Sequence, residues 1–274
     1  MTKKLIVLDL DGTILESHDA IHPYTKQVIQ AVAALGHPCI LATGRPWRAT
    51  SPFYKELGLT TPVINYNGAL IHHPSDPSFP KKLLELSREF VLQMEDECGE
   101  FVDNIMCEDE DTVYLQKEDQ IINQFFWRET AIVQQGAMRD ILHVEPTTLI
   151  VKVKEIEDHS KFATFMAKHP DLIYRFWGGK YDLFAEVYSP EVDKSHAIRY
   201  VNDALYHIPE HHFIIFGDAN NDLGMLRLGG ITVAMLNGTD EAKKSAVMIS
   251  KLPNTEGGVG HCLSRLFPEI AISK

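Results

Sequence analysis

"LIVLDLDGTI", residues 5–14, sets four apolar residues directly against two acids, Asp9 and Asp11, and closes on Gly12 and Thr13. An unbroken apolar run this short reads as a strand buried on both faces, as in a parallel sheet. A strand has a side-chain period of two, so Asp9 and Asp11 leave its end on the same side. Two adjacent carboxylates repel, and one of them tends to keep its proton. Something must make the arrangement useful.

The same grammar recurs along the chain. "PCILA" (38–42) stops at "TGR" (43–45), and "PVI" (62–64) stops at "NYNG" (65–68). "FIIF" (213–216) stops at "GDANND" (217–222), and "ITVAML" (231–236) stops at Asn237 and Gly238. Helical patterns lie between these runs, over 24–35, 46–57 and 195–206. The first has Val28, Ile29, Val32 and Leu35 on one stripe, Pro23 at its start and Gly36 past its end. Strands alternating with helices predict an α/β fold built on a doubly wound, mostly parallel, Rossmann-like sheet. Ligands of such sheets bind at the carboxyl ends of the strands, where all of these polar motifs fall.

The middle of the chain breaks the rhythm. Residues 81–98, 121–130 and 158–168 read as helices. "DTVYLQ", "TTLIVKVK", "LIYRFWGG" and "YDLFAEVY" read as antiparallel strands. A block of about 100 residues with its own pattern is domain-sized. The expected organisation is a discontinuous core, 1–83 plus 188–274, with an inserted α+β cap over 84–187 serving as a lid. Phe125, Phe126 and Trp127 are expected in the core of the insert, and Phe176 and Trp177 at a lid loop facing the substrate.

The 274 residues carry a net charge of −12, which repels nucleic acid and anionic membrane but leaves room for a small phosphorylated ligand. No apolar run approaches the ~18 residues of a membrane span. The N-terminal run is interrupted by Asp9 and Asp11 and precedes no cleavage site, so it does not read as a signal peptide. The four cysteines have no C-x-x-C spacing and read as idle thiols of a cytoplasmic protein. The histidines lack a zinc-ligand pattern, and the serines lack a nucleophile-elbow context. Oligomeric state is not legible.

Asp9, Asp11, Asp218 and Asp222 offer hard oxygen donors at two strand ends, a set that suits Mg²⁺. The competing reading makes each acid a cap or turn residue; Asp222, just ahead of a helical stretch, fits either. Gly12 and Thr13 permit a sharp turn whose backbone amides cradle an anion. Thr43 and Gly44 add a hydroxyl and an amide at the next strand end. Arg45 either forks to a phosphate or is a solvated turn residue. Lys194 is a surface charge unless it balances the acids.

Taken in order, "DLDGT" at 9–13, "TGR" at 43–45, Lys194 and "GDANND" at 217–222 resemble the haloacid dehalogenase (HAD) superfamily of phosphatases. "NYNGALI" (65–71) and "VAMLNG" (233–238) resemble its Cof-type subfamily, whose large α/β cap lies between the second and third motifs. Ala219, Asn220 and Ser195 depart mildly from that pattern. The resemblance implies that Asp9 is the nucleophile and forms an aspartyl-phosphate. Asp11 protonates the leaving oxygen and then activates water. Asp9, the backbone carbonyl of Asp11, and Asp218 hold Mg²⁺. Leu10, Thr43, Gly44, Lys194 and Asn221 bind the phosphoryl group, with Arg45 and Asp222 in support.

The expected function is a Mg²⁺-dependent phosphatase acting on small phosphorylated metabolites, either sugar phosphates or cofactor-like phosphates. A carboxylate nucleophile suits one of the slowest uncatalysed reactions, since it splits one barrier into two lower ones. A sugar phosphomutase is the alternative on the same scaffold. A non-catalytic phosphometabolite sensor would need neither Asp9 nor Asp11.

Overall fold

The computed structural model describes residues 2–17, 19–124 and 130–270. Two compact units emerge: Met1–Gly44 with Thr50–Lys82 and Asp193–Lys274, and Leu83–Val192 with Arg45–Ala49. The expected α/β architecture with an inserted α+β unit is the one found.

The first unit holds a parallel sheet whose strands run, in spatial order, Met248–Ile249, Ile231–Ala234, Phe213–Gly217, Leu5–Leu8 and Cys39–Leu41. A parallel bridge from Ala42 to Ile64 continues the order to Val63–Asn65. Leu5, Ile6, Val7 and Leu8 are all 0% exposed, which is why their run does not alternate. Helices Pro23–Ala34 and Trp47–Leu57 follow the first and second helical patterns closely. The third pattern is helical over Lys194–Val201 and then loosens into a wide turn, Asn202–Tyr206.

The sheet order makes the site. From Leu5–Leu8 the chain moves outward on one side, then returns after the insertion to build outward on the other. The reversal falls between Leu5–Leu8 and Phe213–Gly217, which pair in parallel with Leu8 opposite Phe216. Such a switch point opens a crevice at the carboxyl ends of its two strands. The Asp9 amide donates to the Phe216 carbonyl at 3.1 Å, so Asp9 and Asp218 emerge from neighbouring strand ends.

The second unit is a six-stranded sheet ordered Ile132–Gln135, Thr112–Leu115, Val102–Asp109, Thr148–Val153, Phe184–Tyr188 and Ile173–Phe176. All pairs are antiparallel except Ile132–Gln135 with Thr112–Leu115. Helices Arg88–Cys98, Met138–Ile141 and His159–Met166 bury Phe90, Met94, Met138 and Phe162 against one sheet face. The helix expected over 81–98 starts only at Arg88, because the Ser87 hydroxyl caps the Phe90 amide; Lys82–Leu83 is a short strand. Within 121–130 a 3₁₀ turn covers Ile122–Gln124, and Phe125, Phe126 and Trp127 lie outside the described residues. Phe176 is partly buried against the core of this unit, stacked on His159 with centroids 3.6 Å apart, and Trp177 stacks on Phe184. Cys39, Cys98 and Cys107 are buried free thiols, and burial pushes the first two up to about 12. No helix among the described residues is long and apolar enough to cross a membrane.

Candidate active site

Asp9 leaves its strand in extended geometry, but period two does not continue to Asp11. The Leu15 amide bonds back to the Leu10 carbonyl, and between them Gly12 turns to φ 74°, ψ −3°. The loop therefore separates the two acids: Asp9 is 4% exposed, whereas Asp11 is exposed. The carboxylates that converge are those of Asp9, Asp218 and Asp222, each offering an oxygen within 4.8 Å of the others. The four-acid cluster expected from the sequence is a three-acid cluster, with the Asp11 carboxylate outside it. Gly12 is fixed twice over. Its φ disfavours an L side chain, and a Cβ would sit 2.4 Å from Asp218 Oδ2.

Lys194 is the cation of the cluster and is 0% exposed, so the surface-charge reading fails. Its helix begins where Asp193 caps the Ser195 amide at 2.7 Å, and Lys194 is the first helical residue. Its Nζ donates to Asp9 Oδ1 and to Asp222 Oδ1, both at 2.7 Å. Asp222 Oδ2 accepts the amides of Asp218 and Ala219 at 2.8 and 3.0 Å. Asp222 thus does two things at once: it fixes the loop after the strand and orients Lys194. With both of its oxygens engaged, Asp9 and Asp218 are the carboxylates available to a cation. The Thr13 hydroxyl donates to Asp218 Oδ1 at 3.1 Å rather than only lining an anion cradle.

The charge balance shows what the cluster fits. Burial raises the Asp9 carboxyl well above the usual range, and Asp222 and Asp218 add to the effect against the pull of Lys194. Asp218 is pushed up to about 7, first by burial and then by Asp222. Burial alone would lower Lys194, but Asp222 and Asp9 outweigh it and raise the ammonium above its ordinary value. Three carboxylates cluster beside one buried ammonium that bonds two of them, and Asp9 and Asp218 resist ionisation. A divalent cation on Asp9 and Asp218 would offset that deficit, and an all-oxygen donor set fits Mg²⁺.

The other predicted residues divide. Leu10 is buried just past Leu5–Leu8 and Thr43 just past Cys39–Leu41, while Gly44 is exposed. Arg45 is 3% exposed, which excludes the solvated reading, and it belongs to the short segment that groups with the inserted unit. In that segment Arg48 forms a buried pair with Glu108 at 2.5 Å. Asn221 donates through Nδ2 to Asn67 Oδ1 at 2.9 Å. The sequence gives Asn67 a place in "NYNG" but no task. It gives Asn237 none either, yet the Asn237 Nδ2 donates to the Gly12 carbonyl at 2.8 Å and supports the Asp-bearing loop.

A family model described as haloacid dehalogenase-like hydrolase matches residues 6–263. A relative from Bacillus subtilis strain 168, 5-amino-6-(5-phospho-D-ribitylamino)uracil phosphatase YitU, is 34% identical over 266 residues, covering 96% of this chain and 97% of that protein. Pyridoxal phosphate phosphatase YbhA of Escherichia coli strain K12 is 26% identical over 265 residues, 91% of this chain and 93% of that protein. A solved haloacid dehalogenase-like hydrolase from Bacteroides thetaiotaomicron has the same fold, with a TM-score of 0.82 at 21% identity over 97% of this chain and 100% of that one.

Proposed function

The chain belongs to the haloacid dehalogenase-like hydrolase family, and from that premise we propose that it is a Mg²⁺-dependent phosphatase of Cof type. It hydrolyses small phosphomonoesters through an aspartyl-phosphate on Asp9. The observation that carries this reading is the buried bridge from Lys194 to Asp9 and Asp222 beside Asp218, at the sheet's switch point.

An Asp9 carboxylate oxygen attacks phosphorus while the bond to the leaving oxygen breaks. Asp11 gives its proton to that oxygen, and the alcohol departs. Asp11, now ionised, takes a proton from water as the water oxygen attacks phosphorus. The bond to Asp9 breaks, and inorganic phosphate leaves. Lys194 holds Asp9 in place and stabilises charge on the phosphoryl oxygens; Thr43, the Gly44 and Leu10 amides and Asn221 take the remaining ones. Asp9, Asp218 and the Asp11 carbonyl would hold Mg²⁺, which when bound would supply positive charge against the phosphoryl group.

Substrate selection is assigned to the inserted unit, 84–187, since the motif residues contact only what all phosphomonoesters share. Two curated relatives are named for phosphomonoesters of a ribitylamino-uracil and of pyridoxal. We therefore take cofactors and their heterocyclic precursors as the substrate class, with sugar phosphates as the comparison. The test is phosphate release from p-nitrophenyl phosphate with Mg²⁺, then kcat/KM across both classes. Asp9→Asn activity equal to wild type sinks the nucleophile assignment. Preference for plain sugar phosphates sinks the substrate class alone.

A further inference from the structure

The loop after Val63–Asn65 is bent more severely than the loop that carries Asp9. Three successive residues lie in the left-handed region: Tyr66 at φ 47°, Asn67 at φ 56° and Gly68 at φ 109°. A bulky residue such as Tyr66 is a rare occupant, and each such non-glycine position is energetically costly. A conformation of that cost persists only where its surroundings impose it.

The surroundings are on both sides. Before the bend, the fully buried Asn65 donates from Nδ2 to the Thr50 hydroxyl at 2.9 Å. At the bend, the Asn67 amide donates to the Thr43 carbonyl at 3.0 Å. After it, a Cβ on Gly68 would meet the Asp193 carbonyl at 2.8 Å and Ala197 Cβ at 3.2 Å, so the turn is pressed against the first turn of the Lys194 helix. The Asn67 side chain reaches a third segment, accepting from Asn221 Nδ2 at 2.9 Å. Its Oδ1 also lies 3.2 Å from where a Gly44 Cβ would be. The strained turn thus adjoins the segments that carry Thr43, Gly44, Lys194 and Asn221: Asn67 meets the first two and the last, and Gly68 meets the Lys194 helix.

We propose that Asn67 is a positioning residue for phosphoryl binding, and that the strained turn exists to hold it. The inference rests on the phosphatase reading, in which Asn221 binds the phosphoryl group. An asparagine amide has two ends of similar shape and opposite chemistry. Turned over, Asn221 would offer its carbonyl oxygen to an anion. Asn67 Oδ1 only accepts, so it holds the Nδ2 end of Asn221 and selects one orientation. Nδ2 carries two hydrogens; the first goes to Asn67, and the second serves a phosphoryl oxygen.

The test is a double-mutant cycle on Asn67→Gly and Asn221→Ala, assayed with p-nitrophenyl phosphate and saturating Mg²⁺. Glycine accepts the backbone of position 67, so N67G removes the side chain without imposing strain. N67G is expected to lower kcat/KM about tenfold, roughly what one hydrogen bond to an anion contributes. Inhibition by orthovanadate should weaken by a similar factor, while the Mg²⁺ activation constant stays at its wild-type value and the melting temperature does not fall. The double variant should be no slower than N221A alone, because Asn67 acts through Asn221. Fully multiplicative losses overturn the inference. So does N67G activity within about twofold of wild type, or a loss that merely tracks a lowered melting temperature. A wild-type protein with no phosphatase activity contradicts the underlying reading at the first measurement, which distinguishes the two failures.

Discussion

Asp218→Asn removes one negative charge from the cluster while keeping its size and the acceptor for the Thr13 hydroxyl. In the metal-free protein the Asp218 carboxyl is pushed up to about 7 from an ordinary 3.8, first by burial and then by the Asp222 carboxylate. The folded state therefore favours the protonated acid. That contribution to stability is complete below pH 3.8, declines as pH rises, and is lost above about 7. The difference is on the order of 4 kcal/mol. The substituted amide never ionises and keeps that stability at every pH. In EDTA at pH 8 the variant should melt higher than wild type by on the order of 10 °C, and near pH 4 the two should nearly coincide. Adding Mg²⁺ should raise the wild-type transition at pH 8 and move the variant little. Thermal melts by circular dichroism across pH 4–8, with EDTA or Mg²⁺, read all three outcomes. A variant that melts at or below wild type in EDTA at pH 8, or a gap of equal size at pH 4, refutes the reasoning.

Gly12→Ala places a methyl group 2.4 Å from Asp218 Oδ2 at a left-handed φ. It should cost about 1–3 kcal/mol in urea unfolding and raise the Mg²⁺ concentration needed for half-maximal activity; unchanged unfolding and activation curves would show that the loop shifts freely. Lys194→Met leaves Asp9 and Asp222 buried without their shared cation. It should abolish turnover and cost about 3–5 kcal/mol at pH 8. The loss should shrink as pH falls, because the Asp9 carboxyl, already raised by burial, then folds protonated, and urea midpoints at two pH values check the direction.

The parallel core was legible because burial on both faces writes itself as an unbroken run. "LIVL" and "FIIF" are strands of the central pair, and the polar motifs after them do stand at carboxyl ends. The inserted sheet was harder to read. Its central strand Val102–Asp109 carries Asp103, Asn104 and Glu108, which hide the pattern. Asn104 is tolerated there because its amide bonds the Lys117 carbonyl and backbone amide, and Glu108 because it pairs with Arg48. Period-two reasoning put Asp11 beside Asp9, whereas the clustered carboxylates are those of Asp9, Asp218 and Asp222. A sequence pattern does not reveal where the chain leaves extended geometry, here at Leu10. Asn67 was invisible for a similar reason. Its interest lies in a backbone angle and in a partner 154 residues away, and neither leaves a local periodicity.

The central claim is covalent: the phosphoryl group passes through Asp9. Borohydride reduces an acyl phosphate to an alcohol, which would convert a phosphorylated Asp9 to homoserine. Wild-type protein quenched with borohydride during turnover, digested and sequenced by mass spectrometry, should carry homoserine at position 9, and only when substrate and Mg²⁺ are both present. Turnover with position 9 recovered entirely as aspartate would contradict the account.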